Sequence, residues 1–259
     1  MFLETYNSKE EVVFLQQSLD GENKTIPLAF GVFSHENQEN WESFILDLSS
    51  SILGLSAKKN LIILSDRDKG LLNAISNKLP PAFHSLCVEH IKRNVISEFK
   101  KDFGPDIFRA AKTLEISVYH ETMESIHNSD PKVYDYLKKF NPESWASVYF
   151  HAPRFGNVTS NIAESINSWI SYERDLNILE SLSNTLVKIK ERFFNRRTKL
   201  ENEKNEFPKE AIDTLNFNVT EGLKREIRQT GSYFFSVKGS KNGYRFVDMK
   251  EKSYTCGYY

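Results

Sequence analysis

NLIILSDRDKGLLNAISNKLPPAFHSLCVEHIKRN, from Asn60 to Asn94, is the stretch whose reading decides the fold. Leu61 to Leu64 is a short, continuous apolar run, the pattern of a buried strand, and it ends on Ser65 and Asp66. Beyond Asp66, residues Leu71, Leu72, Ile75 and Leu79 recur at helical spacing until Pro80 and Pro81 stop the helix. Ala82 to Cys87 then predicts an edge strand, and His90, Ile91, Val95 and Phe99 a further helix. A carboxylate just past a strand end is held by a rigid element beside a loop with room for substrate, the placement a metal-dependent enzyme needs for a ligand.

Working outward, Glu11 to Leu19 and Thr25 to Phe33 are β-prone apolar runs separated by the turn signal Asp20-Gly21-Glu22-Asn23, so they predict an antiparallel hairpin. Between Asn37 and Leu55, residues Trp41, Phe44, Ile45, Leu48, Ile52 and Leu55 are spaced by threes and fours, the stripe of a helix packing on that sheet. The order hairpin, helix, strand, helix, strand is α/β. From Lys100 to Pro153 helical stripes are broken at Asp130-Pro131 and Asn141-Pro142, which predicts an all-helical insertion over about 100–155. A long helix is expected from Ile178 to about Lys204, with Ile178, Leu182, Leu186, Ile189 and Phe193 on its apolar face. Ser232 to Tyr254 reads as a terminal hairpin around Ser240-Lys241-Asn242-Gly243.

A chain of 259 residues with 39% hydrophobic and 27% charged residues can bury one substantial core, or one core plus an appendage. No run approaches the roughly 18 apolar residues of a membrane span, and MFLETYNSKEE has no basic region leading into an apolar stretch. The expectation is an intracellular protein without a membrane partner. Cys87 and Cys256 are too few and too distant to form a secreted disulfide framework, so reduced thiols are expected. A net charge of −1 gives no whole-chain argument for nucleic acid, and any DNA contact must come from a local patch. The best patch is KIKERFFNRRTK, where Lys188, Lys190, Arg192, Arg196, Arg197 and Lys199 surround Phe193 and Phe194; the alternative is a solvated helix face.

Two carboxylates are candidates for metal chemistry. Phosphodiester hydrolysis and strand transfer need an activated water or 3′-hydroxyl and a stabilised leaving oxygen, which two divalent cations about 4 Å apart can provide. Asp66 suits one ligand position, but Ser65, Asp66 and Asp68 all precede a helix, and capping is the reading that residue type favours. Glu164, in SNIAESINSW, would point away from a core face made by Ile162, Ile166 and Trp169 or Ile170. Asn161-x-x-Glu164 also has the form of a capping box. Cys87 and His90 form a Cys-x-x-His pair on one side of a helix. A closed zinc site needs four ligands and no second pair is near, so a packed Cys with a hydrogen-bonded His is the favoured reading. There is no G-x-S-x-G elbow and no phosphate-binding G-x-x-x-x-G-K-[ST] loop.

Taken together, PLAFGVF with ENQENWESF, SDRDKGLLNAI, CVEHIKRN and TSNIAESINSWI resemble, in this order, the transposases of Mutator-like elements (MULE), DDE-type enzymes with an RNase H-like catalytic domain. The resemblance covers Glu11 to about Ile170 and continues weakly beyond. It implies an RNase H-like mixed sheet flanked by helices over 1–175, a helical insertion, and a mainly helical extension over 176–259. It makes Asp66 the second and Glu164 the third metal-binding carboxylate, with Mg²⁺ or Mn²⁺ as cofactor, and matches Cys87 and His90 to the family's C-x-x-H pair. The first carboxylate falls within Phe2-Leu3-Glu4-Thr5-Tyr6, where Glu4 aligns after a one-residue deletion. VDMKEKSYTCGYY resembles the start of a SWIM zinc segment, with Tyr254 at the first cysteine position and Cys256 at the second, so zinc is not expected to bind there.

The function this implies is DNA transposition by metal-dependent strand cleavage and transfer, in the nucleus, on transposon terminal repeats, with room for a homo-oligomer. The chain is expected to be truncated at both ends and incomplete or inactive as it stands, which leaves its enzyme status open. The alternatives are a transposase-derived regulator that binds DNA or protein without catalysis, or a relic with no selected function.

Overall fold

The computed structural model describes residues 2–7, 12–19, 24–58, 61–152, 154, 156–160, 166, 168–202, 207–238, 243–251 and 253–254, with backbone alone at 2–7, 12–17, 19, 174 and 253–254. Two compact units emerge, Met1–Ile91 with Val158–Glu206, and Lys92–Asn157 with Phe207–Tyr259. No helix among the described residues is long and apolar enough to cross a membrane.

The first unit is built on a mixed five-stranded sheet. Its strands are β1 (Phe2–Asn7), β2 (Val12–Leu19), β3 (Thr25–Phe33), β4 (Ile62–Ser65) and β5 (Phe83–Leu86), in the order β3-β2-β1-β4-β5. The expected hairpin is present as β2 and β3, antiparallel from Val12↔Phe33 to Leu19↔Thr25 with a register shift at Gln16/Gln17; its turn at 20–23 lies outside the described residues. β1 runs antiparallel to β2 and parallel to β4, and β4 is parallel to β5. Parallel neighbours need long crossovers, and the chain supplies α1 (Gln38–Ser51) before β4 and α2 (Lys69–Lys78) before β5.

Alternation along β3 shows how both faces are covered. Ala29 and Phe33 pack against the cluster of Trp41, Phe44, Ile45, Leu48, Ile63, Leu71 and Ile75, while Phe30 and Val32 pack on Ile170 from the opposite face. Trp41 and Phe44 meet edge-on at 6.2 Å, and Phe44 meets Phe33 at 6.3 Å. Full burial of each such side chain contributes about 1.5–3 kcal/mol, so this cluster dominates the unit. Asn37 caps α1 by accepting from the Asn40 amide at 2.9 Å.

A polar strip fastens α1 to α2 at the rim of that core. Glu42 accepts from Gln38 Nε2 at 2.8 Å and Asn77 Nδ2 at 2.9 Å and pairs with Lys78 at 3.0 Å. Asn73 Nδ2 donates to Gln38 Oε1 at 2.9 Å. The hydrogen bonds from Gln38, Asn77 and Lys78 bring the Glu42 carboxyl from its ordinary 4.5 down to about 2. The helices approach so closely that a Cβ on Gly70 would lie 2.8 Å from the Gln38 backbone nitrogen.

The long helix also belongs to this unit. After the short α7 (Ser171–Arg174), α8 spans Ile178–Asn202, close to the expected limits but rotated from the expected face. Of the expected inner stripe, Ile178, Leu182 and Ile189 are half-buried but Leu186 and Phe193 are exposed, and Ser181 and Thr185 are buried. Ser181, Thr185, Lys188 and Arg192 share one helical face, and it is turned inward because Lys188 and Arg192 serve Glu173 and Trp169, as described below.

α3 (Val88–Phe99) begins in the first unit and runs on into the second, where α4 (Gly104–Lys112), α5 (Ile116–Ser129) and α6 (Pro131–Lys138) follow. Asp130 ends α5 and caps α6, accepting from Lys132 N at 3.0 Å, and Asn141 accepts from Glu143 N at 3.2 Å. The predicted breaks are thus caps followed by proline. Buried Arg154 donates to the carbonyls of Trp145 and Ala111 and to Ser147 Oγ at 3.0, 3.3 and 2.6 Å; burial lowers its guanidinium to about 10. The remainder comprises α9 (Lys209–Leu223), without a buried residue, and an antiparallel sheet β6 (Ile227–Gln229), β7 (Phe234–Lys238), β8 (Tyr244–Asp248), β9 (Ser253–Tyr254). The terminal hairpin is β7 with β8; the flanking strands are too short to leave a sequence pattern.

Because the Glu42 carboxyl is lowered on folding, its contribution is complete above about pH 4.5 and is lost as pH falls toward 2. Urea midpoints of wild type and Glu42→Gln should therefore differ at neutral pH and converge over that window. Gly70→Ala should destabilise the protein by about 1–2 kcal/mol in the same assay, although helix propensity alone favours Ala by about 1 kcal/mol.

Candidate active site

β4 and β5 deliver two candidate residues to one end of the sheet. Their register runs Ile62↔Phe83 to Ser65↔Leu86, and the ladder continues with the Cys87 amide donating to the Ser65 carbonyl at 2.8 Å. Asp66 and Cys87 thus leave the sheet side by side at the carboxyl ends of parallel strands, where open α/β sheets place ligands.

Asp66 is half-buried and is not the helix cap. Asp68 takes that part, its Oδ1 accepting from Leu71 N at 2.7 Å. Asp66 uses Oδ1 in a local turn, accepting from Asp68 N at 3.2 Å. The capping reading favoured by residue type therefore belongs to its neighbour two positions on. Its main chain is held as well: Ser65 Oγ donates to Asp66 O at 3.0 Å and lies 2.9 Å from His84 Nε2. Burial lowers the His84 ring to about 4, so it is neutral near pH 7. With the Ser65 hydroxyl directed to Asp66 O, the imidazole donates through Nε2–H.

Glu4 is placed by the backbone. Phe2 on β1 pairs with Leu64 on parallel β4, so the strand that carries Glu4 runs beside the one that leads to Asp66. The side chain of Glu4 lies outside the described residues, as do Asn161, Glu164, Asn167 and Cys256. Ile166 and Ile170, two of the residues expected on a core face, are buried, while Ile162 lies outside the described residues.

Cys87 and His90 do come together, around hydrogen bonds. Buried Cys87 opens α3, its carbonyl accepting from Ile91 N at 3.2 Å. Its Sγ accepts from Ser160 N at 3.2 Å and Ser160 Oγ at 3.1 Å. Burial pushes the thiol up, but hydrogen bonds from His90 and Ser160, through side chains and amides, outweigh it and bring Cys87 below the ordinary thiol value. Ser160 and His84 carried no sequence signal, since their partners lie 73 and 19 positions away. Among the described residues no group of three or more His, Cys, Asp or Glu is placed to hold a metal ion.

The basic run on α8 is divided. Lys188 Nζ donates to Glu173 Oε2 at 2.7 Å and to Trp169 O at 3.1 Å, and lies over the Trp169 ring with Arg192, at 5.7 and 5.0 Å. Glu173 is buried, so Lys188 neutralises a desolvated carboxylate. Lys190, Arg197 and Lys199 are exposed and Arg196 is half-buried.

Residues 4–94 match the MULE transposase domain, a stretch that contains Glu4, Asp66, Cys87 and His90. Over 201 residues, 69% of this chain, the sequence is 24% identical to the transposase for insertion sequence element IS905 of Lactococcus lactis subsp. lactis (strain IL1403). The chain spans about half the length of that relative, 48%.

Removing the Lys188 charge leaves Glu173 buried without its cation. Lys188→Met should cost about 2 kcal/mol in urea unfolding, while Lys190→Met should stay within about 0.5 kcal/mol.

Proposed function

We propose, from a chain whose residues 4–94 match the MULE transposase domain, that its first unit is the metal-binding core of a DNA transposase. In this reading Asp66 and Glu164 are cation ligands and Glu4 stands at the first carboxylate position. The observation that carries it is the parallel pairing of β1 with β4 at Phe2↔Leu64, which sets the strand carrying Glu4 beside the strand that leads to Asp66. The strand order β3-β2-β1-β4-β5, with β1 antiparallel to β2 and parallel to β4, supports an RNase H-like assignment.

The donor chemistry suits the proposed ion. Carboxylates are hard oxygen ligands, which favours Mg²⁺ or Mn²⁺. Such ions, when bound, supply the charge that activates a water or 3′-hydroxyl and stabilises the leaving oxygen of a phosphodiester. The chain's own part is to hold its carboxylates in place. Ser65 and His84 fix the main chain at Asp66, and Asp68 relieves Asp66 of capping α2. DNA is the proposed partner, and the exposed Lys190, Arg197 and Lys199 are the basic groups of α8 best able to meet phosphates.

The test is Mn²⁺ titration of the full chain, followed by the spin resonance of free Mn²⁺. Asp66→Asn and Glu164→Gln should each weaken binding at least tenfold, about 1.4 kcal/mol, and Glu4→Gln should do the same. Unchanged affinity in Asp66→Asn and Glu164→Gln would sink the metal reading. If DNA binding then fell with salt but ignored both substitutions, the non-catalytic DNA-binding reading would replace it.

A further inference from the structure

We propose that Cys87 is the positioning residue that sets the segment leading to Glu164 against the strand end carrying Asp66. The inference rests on the metal-site reading above and names the device that would align its two halves. One residue reaches both. The Cys87 amide donates to the carbonyl of Ser65, the residue before Asp66, at 2.8 Å. Its Sγ takes both donors of Ser160, the amide at 3.2 Å and the hydroxyl at 3.1 Å. Val88 N donates to Val158 O at 2.9 Å, so residues 158–160 are held at two points by the first turn of α3.

These contacts join parts of the chain 73 positions apart, and the residues between them belong largely to the other unit. Sequence proximity therefore cannot align Glu164 with Asp66, and a local clamp can. Sulfur suits the task because its large, polarisable acceptor takes several donors at once, here from Ser160 and from His90. Cys87 and Ser160 are both buried, so water is a poor substitute if the sulfur is removed.

Cys87→Ala deletes the Sγ contacts and keeps the amide bond to Ser65. Hydrogen exchange of the full chain should then quicken at least tenfold at the Ser160 amide, and stay unchanged in peptides covering 61–65. Cys87→Ser, which keeps an acceptor, should restore most of the protection. Ile45→Val, a core change of modest cost, should leave the Ser160 amide protected, which separates positioning from general loss of stability. Unchanged exchange at the Ser160 amide in Cys87→Ala would overturn the clamp.

Mn²⁺ affinity supplies the second arm. A loss of at least tenfold in Cys87→Ala, with recovery in Cys87→Ser, is the expected result. Faster exchange with undiminished Mn²⁺ affinity would overturn the positioning role. A wild-type chain that binds no Mn²⁺, yet shows the exchange pattern, would keep the clamp and remove the metal-site reading instead.

Discussion

Ile63 and Leu64, buried side chains that alternate across a four-residue strand, hold the place on which the rest of the first unit depends. β4 is bonded in parallel to β1 on one edge and to β5 on the other. Neither join can be made by a tight turn, so α1 and α2 must cross over the sheet and deposit their apolar stripes on it. Ile63 joins the cluster of α1 and α2. Since the neighbours of β4 point the same way, Asp66 and Cys87 emerge together. The position of the candidate site is thus a consequence of strand direction and burial.

Polar groups then decide orientation where apolar packing leaves it open. α8 has enough apolar residues to bury a stripe, yet Leu186 and Phe193 face outward and Ser181 and Thr185 inward. A buried carboxylate at Glu173 without a cation would cost more than the exposure of two half-exposed apolar side chains recovers. Lys188 meets Glu173 at 2.7 Å, and that pairing sets the rotation of the helix. Between α1 and α2, the bonds to Glu42 similarly select one alignment of two helices that already share a core.

The candidate active site follows the same division of labour. Asp68 terminates the helix, Ser65 and His84 hold the main chain, and Asp66 accepts from the Asp68 amide at the sheet end. Ser65, Asp66 and Asp68, three polar residues within four positions, acquire different tasks because each meets a different neighbour.

The sequence by itself determined the local elements and their order. Apolar periodicity marked α1, α2, β4 and the β2–β3 hairpin, and proline after Asp130 and Asn141 marked the caps, since these signals act within a few residues. Motif order also brought Asp66, Glu164, Cys87 and His90 to notice. Tertiary structure decided what local pattern cannot hold: that Asp68 and not Asp66 caps α2, that α8 turns its cationic face inward, and that Ser160 and Ser65 meet at Cys87. The first turns on which of two like carboxylates meets the Leu71 amide, and the other two on partners 15 and 73 positions away. A hydrogen bond or ion pair across such a distance leaves no period in the sequence, and it exists only once the sheet has brought its ends together.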